Sequence, residues 1–279
     1  MTSSCIVFAA GTYYGNEPDA GELPENAFVI AADGGIDHLR GLGIRPDLVI
    51  GDFDSANVQV PEGVETIALP PEHDDPDMLS ALKVGWTRGY RDFRIYGGLG
   101  GRIDHTIANI QMLALLAHNG GHGLLYGEHS VVAAICNGWL HFPANELHDD
   151  VNVANSEVEK TDPDNQDAIS RCTGPDDGTD TNTANRMVSV FSHADVSHGV
   201  TETGLKYELK NGTMRSDTVL GVSNELLDGR PASISVTDGT LIVIFPIEAA
   251  LPAFSTGVKA SETLGPLASN VSKLLNKAR

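Results

Sequence analysis

Short apolar runs that stop on glycine or aspartate recur through the first half of the chain. Residues 5–10 run into Gly11, residues 28–32 into Asp33, residues 48–50 into Gly51 and Asp52, and residues 92–96 into Gly97. Residues 65–69 and 123–126 are of the same kind. Runs this short, bounded by turn residues, predict buried strands. Between them the apolar positions switch to helical spacing. Residues 36–42 show it, as do residues 76–88, with Met78, Leu79, Leu82 and Trp86 on one face. A further helix is predicted from Asp104 onward, with Ile107, Ile110, Leu113 and Ala114 spaced for burial. Alternating strands and helices predict an α/β domain over residues 1–128, a mainly parallel sheet with flanking helices.

After Glu128 the pattern becomes strands alone. Residues 129–135 and 139–142 are strand-like and are joined by Asn137-Gly138, a hairpin signal. Further strands are predicted over residues 187–191, 205–209, 233–236 and 241–245, with turns at Asn211-Gly212 and Asp238-Gly239. Residues 129–250 therefore read as a small all-β sandwich. It is interrupted at 145–185, where periodicity gives way to Asp, Asn, Thr and Pro, a composition too poor in large apolar side chains to offset ordering entropy. Residues 251–279 read as a tail ending in a short amphipathic helix over 266–279, on Leu267, Val271, Leu274 and Leu275.

Composition narrows the functional classes. A formal charge of −20 on 279 residues argues against nucleic acid or an anionic membrane as partner, because polyanions are bound with Lys and Arg. Part of that excess sits in residues 145–185. No apolar stretch reaches the roughly 20 residues of a membrane span, and the N-terminus lacks the basic start of a signal peptide. Cys5, Cys136 and Cys172 have no CxxC spacing, which suits reduced thiols. A cytoplasmic protein is expected.

The candidate chemistry lies at the strand ends. Ligands of parallel sheets bind beyond the carboxyl ends of the strands. Gly11 there lets backbone approach a ligand. Asp33, Asp52 and Asp54 fall on the same rim, where like charges repel unless a cation bridges them. Two carboxylates two residues apart, as in Gly51-Asp52-Phe53-Asp54-Ser55, can reach one hard cation such as Mg²⁺. In Glu72-His73-Asp74-Asp75-Pro76-Asp77, Asp75 is placed to cap a helix with Pro76 at its first position. That leaves Asp74 and Asp77 for a site. Gly97 to Thr106, GGLGGRIDHT, offers backbone N–H groups to phosphate oxygens, and Arg102 adds a permanent positive charge beside Asp104. Carboxylates for a metal with a cationic phosphate clamp suit metal-assisted phosphoryl transfer. With no GxxxxGK[ST], a P-loop enzyme is excluded.

Taken in order, Ala32-Asp33-Gly34-Gly35, then PDLVIGDFDS at 46–55, then the acidic helix start at 74–77, then GGRIDHT at 100–106, the chain resembles the thiamine pyrophosphokinase family. Gly204 to Leu209 and Gly221 to Glu225 resemble that family's β-domain motifs. The resemblance implies diphosphate transfer from ATP to thiamine, giving AMP and thiamine diphosphate, by a homodimer with Mg²⁺. It implies Asp52, Asp54, Asp77, Arg102 and Asp104 as catalytic, the first three of them as metal ligands. Gly11, Asp33, Gly34, Asp74, Gly101, Arg102 and His105 would line the Mg²⁺–ATP site, and Ser223 and Asn224 the thiamine pocket. His73 and Pro76 depart from the Lys-Asp-x-Thr-Asp common in the family, and residues 145–185 and the tail have no counterpart. The rivals are a pyrophosphokinase for another hydroxymethyl heterocycle, such as a pterin, and a nucleotide- or thiamine-binding sensor without turnover.

Overall fold

The computed structural model describes residues 4–53, 60–72, 74–144 and 186–268. Asp54, Ser55, His73, Cys172, the acidic segment and most of the expected C-terminal helix lie outside the described residues; residues 266–268 carry no regular secondary structure.

The first part of the chain forms β1 (Cys5–Phe8), β2 (Phe28–Ala32), α1 (Gly35–Gly41), β3 (Leu48–Gly51), β4 (Glu65–Ala68), α2 (Asp77–Thr87), β5 (Asp92–Tyr96), α3 (Ile103–His118) and β6 (His122–Tyr126). These strands pair in parallel in the order β6-β5-β1-β2-β3-β4. The inner strands β1, β2 and β3 are apolar throughout because both faces are covered, whereas edge strand β4 is largely exposed. On one face α2 and α3 bury Leu82, Trp86, Leu113 and Leu116 against Val7, Ile30, Ile50 and Ile95. On the other, Ile36 and Leu39 of α1 pack with Phe8, Val29 and Val49. From β1 the chain builds outward to β4, then returns through α2 to β5 on β1's other side. The gap between β1 and β5 is thus a topological switch point, where such sheets bind ligands.

The remaining strands are β7 (Ser130–Cys136), β8 (Gly138–Phe142), β9 (Met187–Ser192), β10 (Val196–Thr203), β11 (Leu209–Arg215), β12 (Asn224–Glu225), β13 (Ala232–Ser235), β14 (Thr240–Pro246) and β15 (Ala253–Thr256). They make an antiparallel sandwich, but one of its sheets is not separate. β7, β14, β9 and β12 extend the first sheet beyond β6, giving a ten-stranded sheet in the order β12-β9-β14-β7-β6-β5-β1-β2-β3-β4. The second sheet, β11-β10-β13-β8-β15, packs on this extension through Phe142, Val200 and Ile234 against Val190, Val243 and Phe245. The chain is therefore an α/β layer and a β-sandwich sharing one sheet.

Local expectations are corrected at five places. Asn137-Gly138 does not close a hairpin: β7 and β8 lie in different sheets, and Asn137, at φ 47°, turns the corner between them. Its side chain accepts the Gly239 N–H at 2.9 Å, tying that corner to the one between β13 and β14. Asn211-Gly212 lies inside β11, where a register shift absorbs the irregular backbone. Residues 205–208 form no strand beyond a single bridge from Leu205 to Leu226; pairing begins at Leu209. The N-cap of α2 is Pro76, not Asp75, whose carboxylate instead meets Lys83. Ile107 is 53% exposed rather than buried.

Candidate functional site

A cleft of about 710 Å³ opens at the carboxyl ends of β1, β2 and β5. Its floor is the switch point. The Ala9 N–H donates to Tyr96 O at 2.9 Å and the Gly11 N–H to Gly97 O at 3.0 Å, so the two strand ends continue pairing into the cleft. A Cβ on Gly11 would stand 2.2 Å from Gly97 O; only glycine permits this approach. Gly100 and Gly101 both adopt positive φ, 80° and 63°, so the chain can turn from β5 directly into α3. Asn109 of α3, buried, donates from Nδ2 to Gly98 O at 2.7 Å and holds this loop against the helix. The Tyr13 hydroxyl donates to Ala9 O at 2.8 Å, and its ring stacks 3.7 Å from that of His38, so the segment after β1 is folded back firmly.

Asp33, Asp77, Arg102, Asp104 and His105 line the cleft together with Gly11 and Gly101. Asp33 ends β2 in the left-handed region, at φ 47°, and its N–H donates to Ile50 O at 2.8 Å. Its Oδ1 is buried without a hydrogen-bond partner among the described residues. An ionised oxygen taken out of water in this way is costly unless a cation or donor meets it. Asp77 is the first residue of α2 and faces the same space. The first turn of α3 adds N–H groups with no acceptor inside the helix, the usual seat of a phosphate oxygen.

Arg102 and Asp104 form a fork across the start of α3. Nε donates to Oδ1 at 3.1 Å and Nη2 to Oδ2 at 2.5 Å, with both side chains exposed. The guanidinium hydrogen bond holds the Asp104 carboxyl below the usual carboxylate range. Asp104 also accepts the His105 N–H at 3.0 Å, so it aims Arg102 and meets one N–H of the first helical turn at once. Gly34, Asp52 and Asp74 are not part of the cleft wall. Gly34 is the N-cap of α1, next to Asp33. Asp52 follows Gly51, whose added Cβ would stand 3.1 Å from Asp33 Cα, so the ends of β2 and β3 carry the two aspartates side by side. Two cleft residues with polar side chains were missed in the sequence, Thr12 and Asn109. The only signal for Asn109 was an amide between Ala108 and Ile110 on a helix otherwise rich in apolar residues.

Ser223 and Asn224 are elsewhere. β12 is the far edge of the large sheet, five strand spacings from β5, roughly 24 Å at the usual inter-strand distance. Asn224 is 5% exposed. Its Oδ1 accepts the Tyr207 and Glu225 N–H groups, while Nδ2 donates to Tyr207 O at 2.7 Å and Glu202 Oε2 at 3.0 Å. Its amide therefore shapes the loop after Gly204. Ser223, at φ 59°, is exposed beside Val219, Leu220 and Val222. Glu202, which accepts from Asn224, is 2% exposed, with Oε1 buried and unpartnered among the described residues. Burial raises its pKa above the ordinary 4.5, and the Asn224 bond offsets this only in part. A carboxyl whose folded pKa is raised supports the fold best when protonated, and that support is lost as pH rises through the folded pKa. Glu202→Gln should thus stabilise the protein at pH 8 by on the order of 1–3 kcal/mol, and the gain should vanish below pH 4.5. Thermal melts at both pH values test this; an equal gain at both would show that charge is not the cause.

Comparison with known proteins agrees with this fold. The family model for the thiamin pyrophosphokinase catalytic domain matches residues 21–122, and that for the family's vitamin B1 binding domain matches residues 178–241. The thiamine pyrophosphokinase of Bacillus subtilis is 28% identical over 233 residues, covering 81% of this chain and 91% of its own. Thiamin pyrophosphokinase 1 of Caenorhabditis elegans is 21% identical over 208 residues, covering 71% and 70%. The crystal structure of the Bacillus subtilis protein superposes with a TM-score of 0.66 at 23% identity, over 88% of this chain and 99% of that one. With both domain models matched in order on the α/β and β regions, the chain belongs to the thiamine pyrophosphokinase family.

Proposed function

We propose that the chain is a thiamine diphosphokinase that moves the terminal diphosphate of ATP onto the hydroxyl of thiamine, with Mg²⁺ as cofactor. The hydroxyl oxygen bonds to the β-phosphorus, the bond from that phosphorus to the α,β-bridging oxygen breaks, and AMP leaves. The thiamine hydroxyl proton is released, so thiamine and ATP become thiamine diphosphate and AMP.

The observation that carries this reading is the charge balance of the cleft. It offers a phosphate-compatible glycine loop and helix start, yet faces them with Asp33, Asp77 and Asp104 against Arg102 alone. A polyphosphate would be repelled unless it arrived with a cation. The Asp33 oxygen left without a donor fits such an ion. Among the described residues no three His, Cys, Asp or Glu side chains form a metal cage. That suits Mg²⁺, which is usually held by one or two carboxylates plus substrate phosphates. Asp33 and Asp77 would hold it, with Asp52 beside Asp33 and Asp54 following. Bound there, Mg²⁺ would neutralise charge on the transferring group. Arg102, aimed by Asp104, would bind the phosphates, and the N–H groups of the glycine loop and α3 would orient them. Asp74 and His105 would serve at the rim.

The separation of Ser223 from the cleft supports a homodimer in which the sandwich of one subunit brings thiamine to the cleft of another. Exposed Ile103 and Ile107 beside the cleft, and exposed Val219, Leu220 and Val222 beside Ser223, are apolar surfaces suited to burial in such an interface. No helix among the described residues is long and apolar enough to cross a membrane; with Cys5 and Cys136 free and buried, we place the enzyme in the cytoplasm. The test is AMP release from ATP and Mg²⁺ with either thiamine or a hydroxymethylpterin. Turnover with thiamine is expected. Turnover only with the pterin, or ATP binding with no AMP from either, overturns the assignment.

A further inference from the structure

The tail after β15, without a counterpart in the family motifs, is built into the fold. From Thr256 it leaves the second sheet, with the Gly257 N–H donating to Asn137 O at 2.7 Å. It then crosses the carboxyl ends of α3 and α2. The Ser261 N–H donates to Asn119 O at 2.9 Å, and Ser261 O accepts Trp86 Nε1–H at 3.1 Å. Val258 and Leu264 pack on the core beneath. The strap then runs back along α2 to the helix start.

There it meets a buried ion pair. Lys83 Nζ lies 2.5 Å from Asp75 Oδ2, with side chains 10% and 13% exposed. The strap completes both partners: Lys83 donates to Pro266 O at 2.8 Å, and Asp75 Oδ2 accepts the Ala268 N–H at 3.2 Å. A buried ammonium and carboxylate persist only when their remaining hydrogen-bonding capacity is met, and here residues 266–268 meet it. Asp75 precedes Pro76, whose ring limits φ, observed at −56°, and Pro76 precedes Asp77. Fixing Asp75 therefore fixes where Asp77 enters the cleft.

We propose that the strap at residues 261–268 and the Asp75–Lys83 pair form a clamp that positions Asp77, so that a C-terminal segment sets the affinity of the cleft for Mg²⁺–ATP. This rests on the functional reading above. Asp75 and Lys83 are positioning residues, acting through Asp77.

The test uses the full chain with Lys83→Met, which removes the ammonium, and Ala268→Pro, which removes one strap N–H and leaves the pair intact. Three quantities are measured: the equilibrium Kd for ATP with Mg²⁺, the Kd for thiamine, and amide exchange at residues 77–80 without ligand. Lys83→Met should weaken ATP binding about tenfold, leave thiamine binding within about twofold, and speed exchange in the first turn of α2. Ala268→Pro should move all three in the same directions by less. A lower melting temperature with wild-type ATP affinity and wild-type exchange would make the strap a structural staple and overturn the proposal. If Lys83→Met does not fold, Ala268→Pro decides alone. Exchange reads the clamp without substrate, so a wild-type protein that releases no AMP would defeat the functional reading and leave this result interpretable.

Discussion

Asp33→Asn should release AMP on the order of 10²–10³-fold more slowly than the wild type, the usual effect of removing one group that meets charge in the transition state. Its melting temperature should stay the same or rise. The substitution keeps shape, and asparagine tolerates the left-handed backbone that Asp33 adopts at φ 47°. What it removes is the charge on an oxygen that is buried and has no partner among the described residues. In the ligand-free protein that charge is a liability, so its loss relieves the fold. With Mg²⁺ and ATP present the order should reverse, because only the wild type gains stability by binding. Melts with and without Mg²⁺–ATP, beside an AMP assay, check both halves. A destabilised variant that keeps its activity would mean that Asp33 serves the β2 turn and nothing more.

Mixing two inactive variants should restore about a quarter of wild-type activity if each site is shared between subunits, since half of randomly paired dimers are mixed and each has one intact site. Asp33→Asn disables the cleft. For the β region Ser223→Asn is the better partner. It enlarges an exposed side chain in a backbone state, φ 59°, that asparagine accepts. Asn224→Ala would strip the loop of the hydrogen bonds that hold Tyr207 and Glu202. The expectation comes from distance: β12 and β5 lie five strand spacings apart in one chain, further than thiamine and a triphosphate can bridge. Each variant alone must be folded and inactive, and exchange is verified by tagged pull-down. A verified mixture with no activity would sink the shared site.

Much of the cleft was legible because its grammar is local. A buried strand must end in a turn, and in a parallel sheet each such turn falls on the ligand-binding rim. Asp33 after β2, Asp77 at the start of α2, Gly97 to Arg102 between β5 and α3, and Asp104 in the first turn of α3 could therefore be placed from a few neighbours each. Asp75 was misjudged because its environment is not local: the partner that draws it from capping is Lys83, and the strap that seals the pair comes from residues 266–268. Ile107 was misjudged because helical spacing marks an apolar face without saying whether anything in the same chain covers it. The strands missed in the β region, β10, β11 beyond Leu209, β12 and β15, lack a continuous apolar run; β10 intersperses buried Ser197, Val200 and Glu202 with more exposed positions.

By itself the sequence determined the order of strands and helices in the first region, the parallel character of that region and the gathering of acidic and glycine-rich turns on one rim. Each of these follows from the period of side chains and the chemistry of turns over fewer than about a dozen residues. Only the tertiary structure decided that one sheet runs through both regions, that Asn137-Gly138 turns between sheets, that Ser223 stands far from the cleft, and that the tail clamps the start of α2. The physical reason is that a strand of given pattern can pair with any neighbour of matching register. Which neighbour it takes is set by packing among residues distant in sequence, where local periodicity carries no information.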